Sequence, residues 1–313
     1  MAETPQVIVI TGPTATGKTA LGVELALALS GEVVSADSMQ IYRGMDIGTA
    51  KPTQEEMRGV RHHMFDVASP EETFSVSRYV ETAGACVDDI LSRGKTPVIV
   101  GGTGLYIDSL LAGREFASEG DGALRAALGA EYDERGGEAM LKKLAAFDPA
   151  RAEKLHPSDR RRIVRAIEIY TLTGKTITEH DAETREKPPR YMSLRIALTF
   201  RDREKLYARI DRRVDQMMEQ GLLREVETLL ARGVPRESTA MQAIGYKELV
   251  EALEGKCSVE AAVERIRQGS RRYAKRQLTW LRRDGGLHWI EWENAPDLER
   301  ALRLSTDFVR GVQ

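Results

Sequence analysis

Apolar residues along the first hundred positions form short unbroken runs that alternate with helical repeats. Residues 7–10 and 97–100 are rich in valine and isoleucine, which is typical of buried strands in a parallel sheet. Residues 32–36 are predicted to form a strand between them. Apolar positions recur at helical spacing over 18–30 and 76–93, and a glycine follows each repeat. This alternation predicts an α/β fold, a parallel sheet flanked by helices with right-handed crossovers.

The pattern changes near residue 113. Residues 113–190 are charged and helix-forming and carry no strand signal, whereas 194–200 alternate between apolar and polar positions. We therefore predict an α/β core formed by 1–112 and 191–313, interrupted by a helical insertion domain at 113–190. Amphipathic helices are predicted near 203–219, 222–232, 242–254 and 258–283.

Composition excludes several classes of protein. Lys and Arg number 46 against 48 Asp and Glu, so a wholly basic nucleic-acid binder is excluded, although a local basic surface is not. The apolar runs are far shorter than the roughly 18 residues that a membrane span needs. The first residues have no basic, apolar signal segment, so we expect a cytoplasmic protein. Cys86 and Cys257 are too few for a disulfide framework or a cysteine zinc site.

One segment matches the phosphate-loop pattern G-x-x-x-x-G-K-[ST] without a mismatch, between a predicted strand and a predicted helix. Its residues are Gly12, Pro13, Thr14, Ala15, Thr16, Gly17, Lys18 and Thr19. Such a loop turns backbone N–H groups inward at a helix N-terminus, which favours an anion. Lys18 adds a full charge, and the Thr19 hydroxyl can ligate Mg²⁺. The motif predicts a bound di- or triphosphate and does not identify the reaction.

Phosphoryl transfer is the first hypothesis for such a loop. It is weakened because the strand that ends at Val100 continues into Gly101 and Gly102, without a carboxylate to hold a metal. Asp37 is the carboxylate that follows a core strand, and ligands of α/β sheets bind at the carboxyl ends of the strands. Asp37 could accept a proton from a nucleophile. The alternative is a helix cap or a turn.

Several motifs together resemble the tRNA dimethylallyltransferases, also called tRNA isopentenyltransferases. In chain order these are Gly12 to Thr19, Asp37 to Pro52, Gly101 to Tyr106, His156 to Arg165, Gly174 to Thr176, Arg209 to Arg213, Gln242 to Lys247 and Lys275 to Arg282. They cover nearly the whole chain. The phosphate loop alone is unspecific, whereas the ordered set is highly specific. This resemblance implies a phosphate-loop α/β core with a helical domain that contacts tRNA.

The resemblance implies a prenyl transfer with Mg²⁺ as the cofactor. The N6 amine of an adenosine beside the tRNA anticodon attacks the first carbon of dimethylallyl diphosphate, and diphosphate leaves. Asp37 matches the general base of the family and Thr103 its substrate-contacting threonine. Lys18 and Thr19 match the leaving-group site, with an arginine from 209–213. Arg209 is the predicted ligand, with Arg213 as the open alternative, and either could instead be a solvated surface residue.

The resemblance also implies contacts with the tRNA anticodon stem-loop. The matching residues are Asp37, Ser38, Met39, Gln40, Thr103, Arg125, Arg161, Arg162, Ile163, Val164, Arg165, Gln242 and Lys247. Two acid-poor clusters, at 160–165 and 265–283, fit a polyanionic partner, although such runs are often only solvated surfaces. Proteins that recognise RNA by sequence favour unpaired loop bases, which suits an anticodon loop. The target adenosine must leave its stack to reach Asp37.

Three alternatives to this enzyme remain. One is a phosphate-loop kinase for a small molecule or nucleotide, and another is a non-catalytic RNA-binding module. The third is a related branch that prenylates free adenine nucleotides, against which the basic segment and the insertion argue. A metal at His62 and His63 is disfavoured, since neighbouring strand residues point to opposite faces. We expect a monomer with no membrane association.

Overall fold

The computed structural model describes residues 6–114, 116 and 120–312. Six parallel strands form one sheet in the order β3-β2-β4-β1-β5-β6. Their bounds are β1 Val7–Thr11, β2 Glu32–Ser35, β3 His62–His63, β4 Pro97–Val100, β5 Ser193–Phe200 and β6 Leu287–Trp292. The predicted α/β class is confirmed. Every position of β1 and β4 is buried, because helices cover both faces of the central sheet.

Thirteen helices are described within these residues. They are α1 Lys18–Ala28, α2 Gln54–Met57, α3 Val76–Ser92, α4 Gly104–Ala112, α5 Gly122–Ala145, α6 Pro149–Ala152, α7 Arg160–Thr173, α8 Ile177–Glu186, α9 Arg203–Glu219, α10 Leu222–Ala231, α11 Tyr246–Leu253, α12 Val259–Leu281 and α13 Leu298–Val312. None of the helices in the described part of the chain combines the length and the apolarity that a bilayer crossing requires.

The helix predicted near 242–254 is shorter in the structure. Gly245 has a φ of +102°, which a right-handed helix does not accept, and α11 begins only at Tyr246. The four residues before Tyr246 are therefore part of a turn. This difference matters for function, because the turn contributes to the cavity described below.

The chain divides into two compact units. The first comprises Met1–Gly113 with Arg190–Gln313, and the second comprises Arg114–Pro189. The second unit has its own apolar core, to which Met140, Leu144 and Ile163 contribute fully buried side chains. Its described elements are all helices, α5 to α8. The described residues exclude 1–5, 115, 117–119 and 313. The first of these ranges holds most of the N-terminal segment from which the sequence predicts no signal peptide.

The topology gathers three loops at one edge of the first unit. Strands β1, β2 and β4 are neighbours and parallel, so the segments that follow them leave the sheet on the same side. The segment after β1 is the phosphate loop, the segment after β2 carries Asp37, and the segment after β4 carries Thr103. The predicted site residues of the core thus come from adjacent strand ends.

Candidate active site

The phosphate loop closes on itself through two side chains. The Thr16 hydroxyl donates to the Pro13 carbonyl at 2.9 Å, and Lys18 Nζ donates to the same carbonyl at 2.8 Å. Gly17, with a φ of +87°, directly precedes α1 and lets the chain turn into the helix. The loop therefore places the Lys18 ammonium and the first N–H groups of α1 beside each other, as anion binding requires.

Three side chains from later elements hold the loop in place. Each bonds the backbone of one of three consecutive residues. Gln277 Oε1 accepts from Thr14 N–H (3.0 Å), and Arg209 Nε donates to Ala15 O (3.1 Å). Trp292 Nε1 donates to Thr16 O (3.0 Å). These side chains belong to α12, α9 and β6. Sequence reasoning missed Gln277 and Trp292 in this role, since no local pattern links them to the loop.

A cavity of about 410 Å³ opens beside the loop. Its polar lining includes Lys18, Thr19, Asp37 and Arg213. Its apolar lining includes Ile210, Val214 and Met217 from α9, Ile244 from the turn before α11, and Ile266 from α12. The cavity therefore joins an anion site, a carboxylate and an apolar wall, which is the combination typical of a site for an amphiphilic ligand.

Electrostatics in the cavity favour an anion. Burial, and then the nearby Arg213 guanidinium, lower the pKa of Lys18 to about 7, while Asp37 acts in the opposite direction. Burial is also the main reason that the pKa of Arg213 is lowered. Two partly desolvated cations thus share one carboxylate. A ligand with several negative charges would relieve their repulsion.

Asp37 stands in a turn immediately after β2. One of its carboxylate oxygens accepts from Met39 N–H at 2.9 Å, so the carboxylate stabilises its own turn and does not cap a helix. The same side chain lines the cavity. The turn role and the cavity role that the sequence offered as alternatives therefore coexist in one residue.

Thr103 is joined to the Asp37 turn. Its hydroxyl accepts from Ser38 N–H at 3.1 Å and lies 3.4 Å from the Ser38 hydroxyl. Its own N–H donates to Ala36 O at 3.1 Å. These three contacts of Thr103 run to the segment that carries Asp37, which makes Thr103 a support for that carboxylate.

The remaining predicted contacts of the core divide into two groups. Ser38, Met39, Gln242 and Lys247 line the cavity. Gln40 lines it too, but its amide is used within the protein, since Nε2 donates to the carbonyls of residues 49 and 50, each at 3.2 Å. The amide of Gln40 therefore shapes the wall of the cavity.

A carboxylate that the sequence did not indicate holds the same wall. Glu225 on α10 accepts from three successive backbone N–H groups, those of Asp46, Ile47 and Gly48, at 2.8, 2.8 and 3.1 Å. It also accepts from the Tyr246 hydroxyl at 2.6 Å. A helix some 180 residues away in sequence thereby fixes the loop between β2 and α2.

In the helical unit, two predicted tRNA-contacting arginines share a buried partner. Glu168 is fully buried, and its carboxylate accepts from Arg125 at 3.0 and 3.1 Å and from Arg165 at 2.9 Å. The paired arginines hold the pKa of Glu168 below its usual value despite the burial. Arg125 and Arg165 keep 50% and 35% of their side chains exposed, so each can still meet a ligand.

The other residues of the predicted 161–165 segment have different environments. Arg161 and Arg162 are exposed at the start of α7. Ile163 and Val164 are buried in the core of the helical unit, with side chains 0% and 4% exposed. Their side chains therefore serve packing, and the charges available to a polyanion on this segment are those of the arginines.

The basic segment 265–283 is partly neutralised by neighbouring elements. Arg265 pairs with Glu251 at 2.6 Å, Arg271 pairs with Asp211 at 2.7 Å, and Arg267 pairs with Asp215. Arg276 lines the cavity. The charge run is thus both an ion-paired helix surface and a contributor to the site.

Each histidine of the 62–63 pair has a partner at one ring nitrogen. His63 Nε2 lies 2.8 Å from the Glu32 carboxylate, and His62 Nδ1 lies 2.9 Å from Val60 O. Among residues 6–114, 116 and 120–312, no cluster of three or more His, Cys, Asp or Glu side chains is arranged for a metal. Thr19 and Asp37 nevertheless line one cavity, and their hydroxyl and carboxylate oxygens are ligand types that Mg²⁺ accepts.

The chain matches one family of known proteins, and its curated relatives align with it over nearly its full length. The model of the IPP transferase family matches residues 40–284. The tRNA dimethylallyltransferase of Acetivibrio thermocellus is 48% identical over 298 residues, 95% of each chain. That of Bacillus licheniformis is 48% identical over 308 residues, covering 98% of this chain and 97% of the relative.

Solved structures agree with the sequence matches. A tRNA isopentenylpyrophosphate transferase from Bacillus halodurans superposes with a TM-score of 0.73 at 40% identity, over 98% of both chains. A eukaryotic dimethylallyltransferase acting on tRNA gives a TM-score of 0.82 at 30% identity, over 98% of this chain and 80% of the other.

Proposed function

Since the chain belongs to the IPP transferase family, we propose that the cavity beside its phosphate loop carries out prenyl transfer to tRNA. The reaction moves a dimethylallyl group from dimethylallyl diphosphate to the N6 amine of an adenosine beside the anticodon, and releases diphosphate. One observation carries the assignment. Lys18, Asp37 and an apolar wall line the same cavity, so the leaving group, the base and the prenyl tail each have a place.

The leaving group binds in the phosphate loop. Backbone N–H groups at the start of α1 and the Lys18 ammonium hold the diphosphate, and Arg213 reaches it from α9. Arg209, which the sequence favoured for this contact, instead fixes the loop through Ala15 O. Thr19 and the diphosphate oxygens would hold Mg²⁺, which supplies further positive charge against the departing group.

Asp37 accepts the proton of the amine. The N6 nitrogen forms a bond to the first carbon of the donor, the carbon–oxygen bond breaks, and the electron pair leaves with the diphosphate. The nitrogen then loses one proton to the Asp37 carboxylate. The turn after β2, in which Met39 N–H donates to this carboxylate, keeps the carboxylate at the carboxyl ends of the strands.

The apolar wall receives the five-carbon tail. Ile210, Val214 and Met217 project from one face of α9, and Ile266 faces them from α12. Burial of the tail there removes apolar surface from water and keeps water from the reacting carbon, which would otherwise give the free alcohol. We further propose that a monomer acts on cytoplasmic tRNA.

The decisive experiment supplies both substrates. Isotopically labelled dimethylallyl diphosphate is incubated with unmodified tRNA and, separately, with free adenine nucleotides. We expect label in the tRNA, at the adenosine beside the anticodon. Label only in free nucleotides would place the protein in the nucleotide-prenylating branch, and phosphate transfer from ATP without prenyl transfer would establish a kinase.

Donor binding should depend on pH through Lys18. Its pKa of about 7 in the free protein must rise when an anion binds, so binding takes up a proton above that pH. The affinity for dimethylallyl diphosphate should therefore fall above about pH 7, by at most about tenfold per pH unit. Calorimetric titration without tRNA measures this directly.

Lys18→Arg provides the control for this pH effect. A guanidinium stays charged over the whole range, so the variant should lose most of the decline. The second ionisation of the donor phosphate, with a pKa of about 6, acts mainly below about pH 7 and is the same for both proteins. An equal decline in both proteins would show that Lys18 is not the titrating group.

The exposed arginines at the start of α7 should contribute to tRNA affinity. Arg161→Glu with Arg162→Glu should weaken tRNA binding and reduce its dependence on salt by about 0.7–0.9 log units of slope per lost phosphate contact. These two positions leave the Glu168 pairs intact. Arg135→Glu, an exposed arginine of the same unit, is the control. Unchanged tRNA affinity at low salt would mark 161–162 as a solvated surface.

A further inference from the structure

A single buried amide connects two loops of the active site. Gln277 on α12 is 7% exposed. Its Oε1 accepts from Thr14 N–H at 3.0 Å, and its Nε2 donates to Gly102 O at 3.0 Å. Because a backbone donor faces one end of the amide and a backbone acceptor the other, only one orientation of the side chain satisfies both. The two loops are therefore held at one separation.

The connection continues to the proposed base. Gly102 is followed by Thr103, whose hydroxyl accepts from Ser38 N–H and whose N–H donates to Ala36 O. Asp37 lies between these two partners. A continuous path of bonds thus leads from the phosphate loop through Gln277 and the 101–103 segment to the carboxylate.

The path has little room to adjust. A Cβ atom built on Gly102 would lie 2.2 Å from Gln277 Nε2, so the backbone approaches the amide as closely as glycine allows. Tyr273, one turn earlier on α12, interacts with both Thr103 and Gln277. A change in the length of the Gln277 side chain therefore breaks at least one of its two bonds or shifts one loop relative to the other.

We propose that Gln277 is a positioning residue that sets the distance between the bound diphosphate and the Asp37 carboxylate. The inference rests on the proposed function and extends it to a residue of the cavity lining, which acts through the two loops it joins. Displacement at carbon requires the nucleophile about 3–3.5 Å from its target, and a misplacement of about 1 Å can cost 100-fold in rate. Gln277 acts on this distance by fixing the phosphate loop to the 101–103 segment, which in turn holds the turn of Asp37.

The main test replaces the amide by an apolar side chain of similar length. Gln277→Met should lower the single-turnover rate of prenyl transfer about 10- to 100-fold with both substrates saturating. The dissociation constants for dimethylallyl diphosphate and for tRNA should change less than about threefold, because the phosphate nest and the arginines remain. Gln268→Met, at an exposed position of the same helix, should behave as wild type.

A second variant covers the case in which Gln277→Met does not fold. Gln277→Asn keeps a hydrogen-bonding amide but is one methylene too short to reach both loops. It should fold and still lose rate, with nearly unchanged donor affinity. A purely structural role predicts instead a lower melting temperature with a normal single-turnover rate in the folded fraction.

A double-variant cycle tests the path itself. Thr103→Val breaks the bond to Ser38 N–H, which lies further along the same path. If Gln277 acts through it, the two rate losses in Gln277→Met with Thr103→Val should be clearly less than multiplicative. Multiplicative losses, or a normal single-turnover rate in Gln277→Met, would overturn the inference. Absence of prenyl transfer by the wild-type protein would instead reject the proposed function.

Discussion

Asp37→Asn should slow prenyl transfer by 10²- to 10⁴-fold, the usual cost of removing a general base. The asparagine keeps the shape of the side chain and an oxygen that can accept from Met39 N–H, so the turn after β2 should persist. Donor affinity should be nearly unchanged, since Lys18 and the loop N–H groups are untouched. Single-turnover kinetics with saturating tRNA measures the loss, and a melting curve measures the fold.

The same substitution at a helix cap serves as the control. Asp202 precedes α9 and accepts from Glu204 N–H, a cap that asparagine can reproduce. Asp202→Asn should therefore leave rate and stability unchanged. A single-turnover rate near that of the wild type in Asp37→Asn would remove Asp37 from the chemistry and leave only its turn role. Asp37→Ala would then reveal that role as a loss of about 1 kcal/mol of stability, the net contribution of one hydrogen bond.

Lys18→Ala should lower kcat/KM for dimethylallyl diphosphate by at least about 100-fold. The loss corresponds to about 2.7 kcal/mol, the scale reported for removal of one donor to a developing anion. The variant loses the one full charge that the phosphate loop places beside the diphosphate, while the braces from Gln277, Arg209 and Trp292 remain. Initial rates over a range of donor concentrations, with excess tRNA, measure the effect.

A lysine at the amino ends of the strands, opposite the site, is the matched control for Lys18. Lys95 precedes β4 and pairs with Glu32, at the amino ends of the strands. Lys95→Ala should retain the kinetic parameters of the wild type. ATP should not be consumed by any of these proteins. Steady ATP turnover that disappears in Lys18→Ala would favour the kinase alternative over prenyl transfer.

The sequence by itself determined the features that rest on neighbouring residues. The phosphate loop is one continuous strand–loop–helix segment, so its pattern and its anion site are readable together. The strands at 7–10 and 97–100 are buried on both faces, which makes their apolar runs unmistakable. Asp37 could be placed at the site because parallel neighbouring strands end at one edge. The ordered motifs then indicated the family, which the comparisons confirm.

The structure alone supplied β6 and α13. The β6 segment, Leu287 to Trp292, mixes polar and aromatic residues at the edge of the sheet, and it becomes a strand only by pairing with β5. Edge strands of this kind carry a weak pattern, because one side of the ladder and part of each face remain open. Without β6, the role of Trp292 beneath the phosphate loop could not be foreseen.

Tertiary structure also decided which side chains serve the site. Arg209 and Arg213 lie on adjacent turns of one helix, and only packing of α9 against the loop distinguishes the brace at Ala15 from the cation in the cavity. Gln277 and Thr14 are separated by 263 residues, and Trp292 and Thr16 by 276. Local periodicity reports which face of a helix is buried but not what it meets. Those partners are fixed by the packing of the whole core, in which each element limits the positions open to the others.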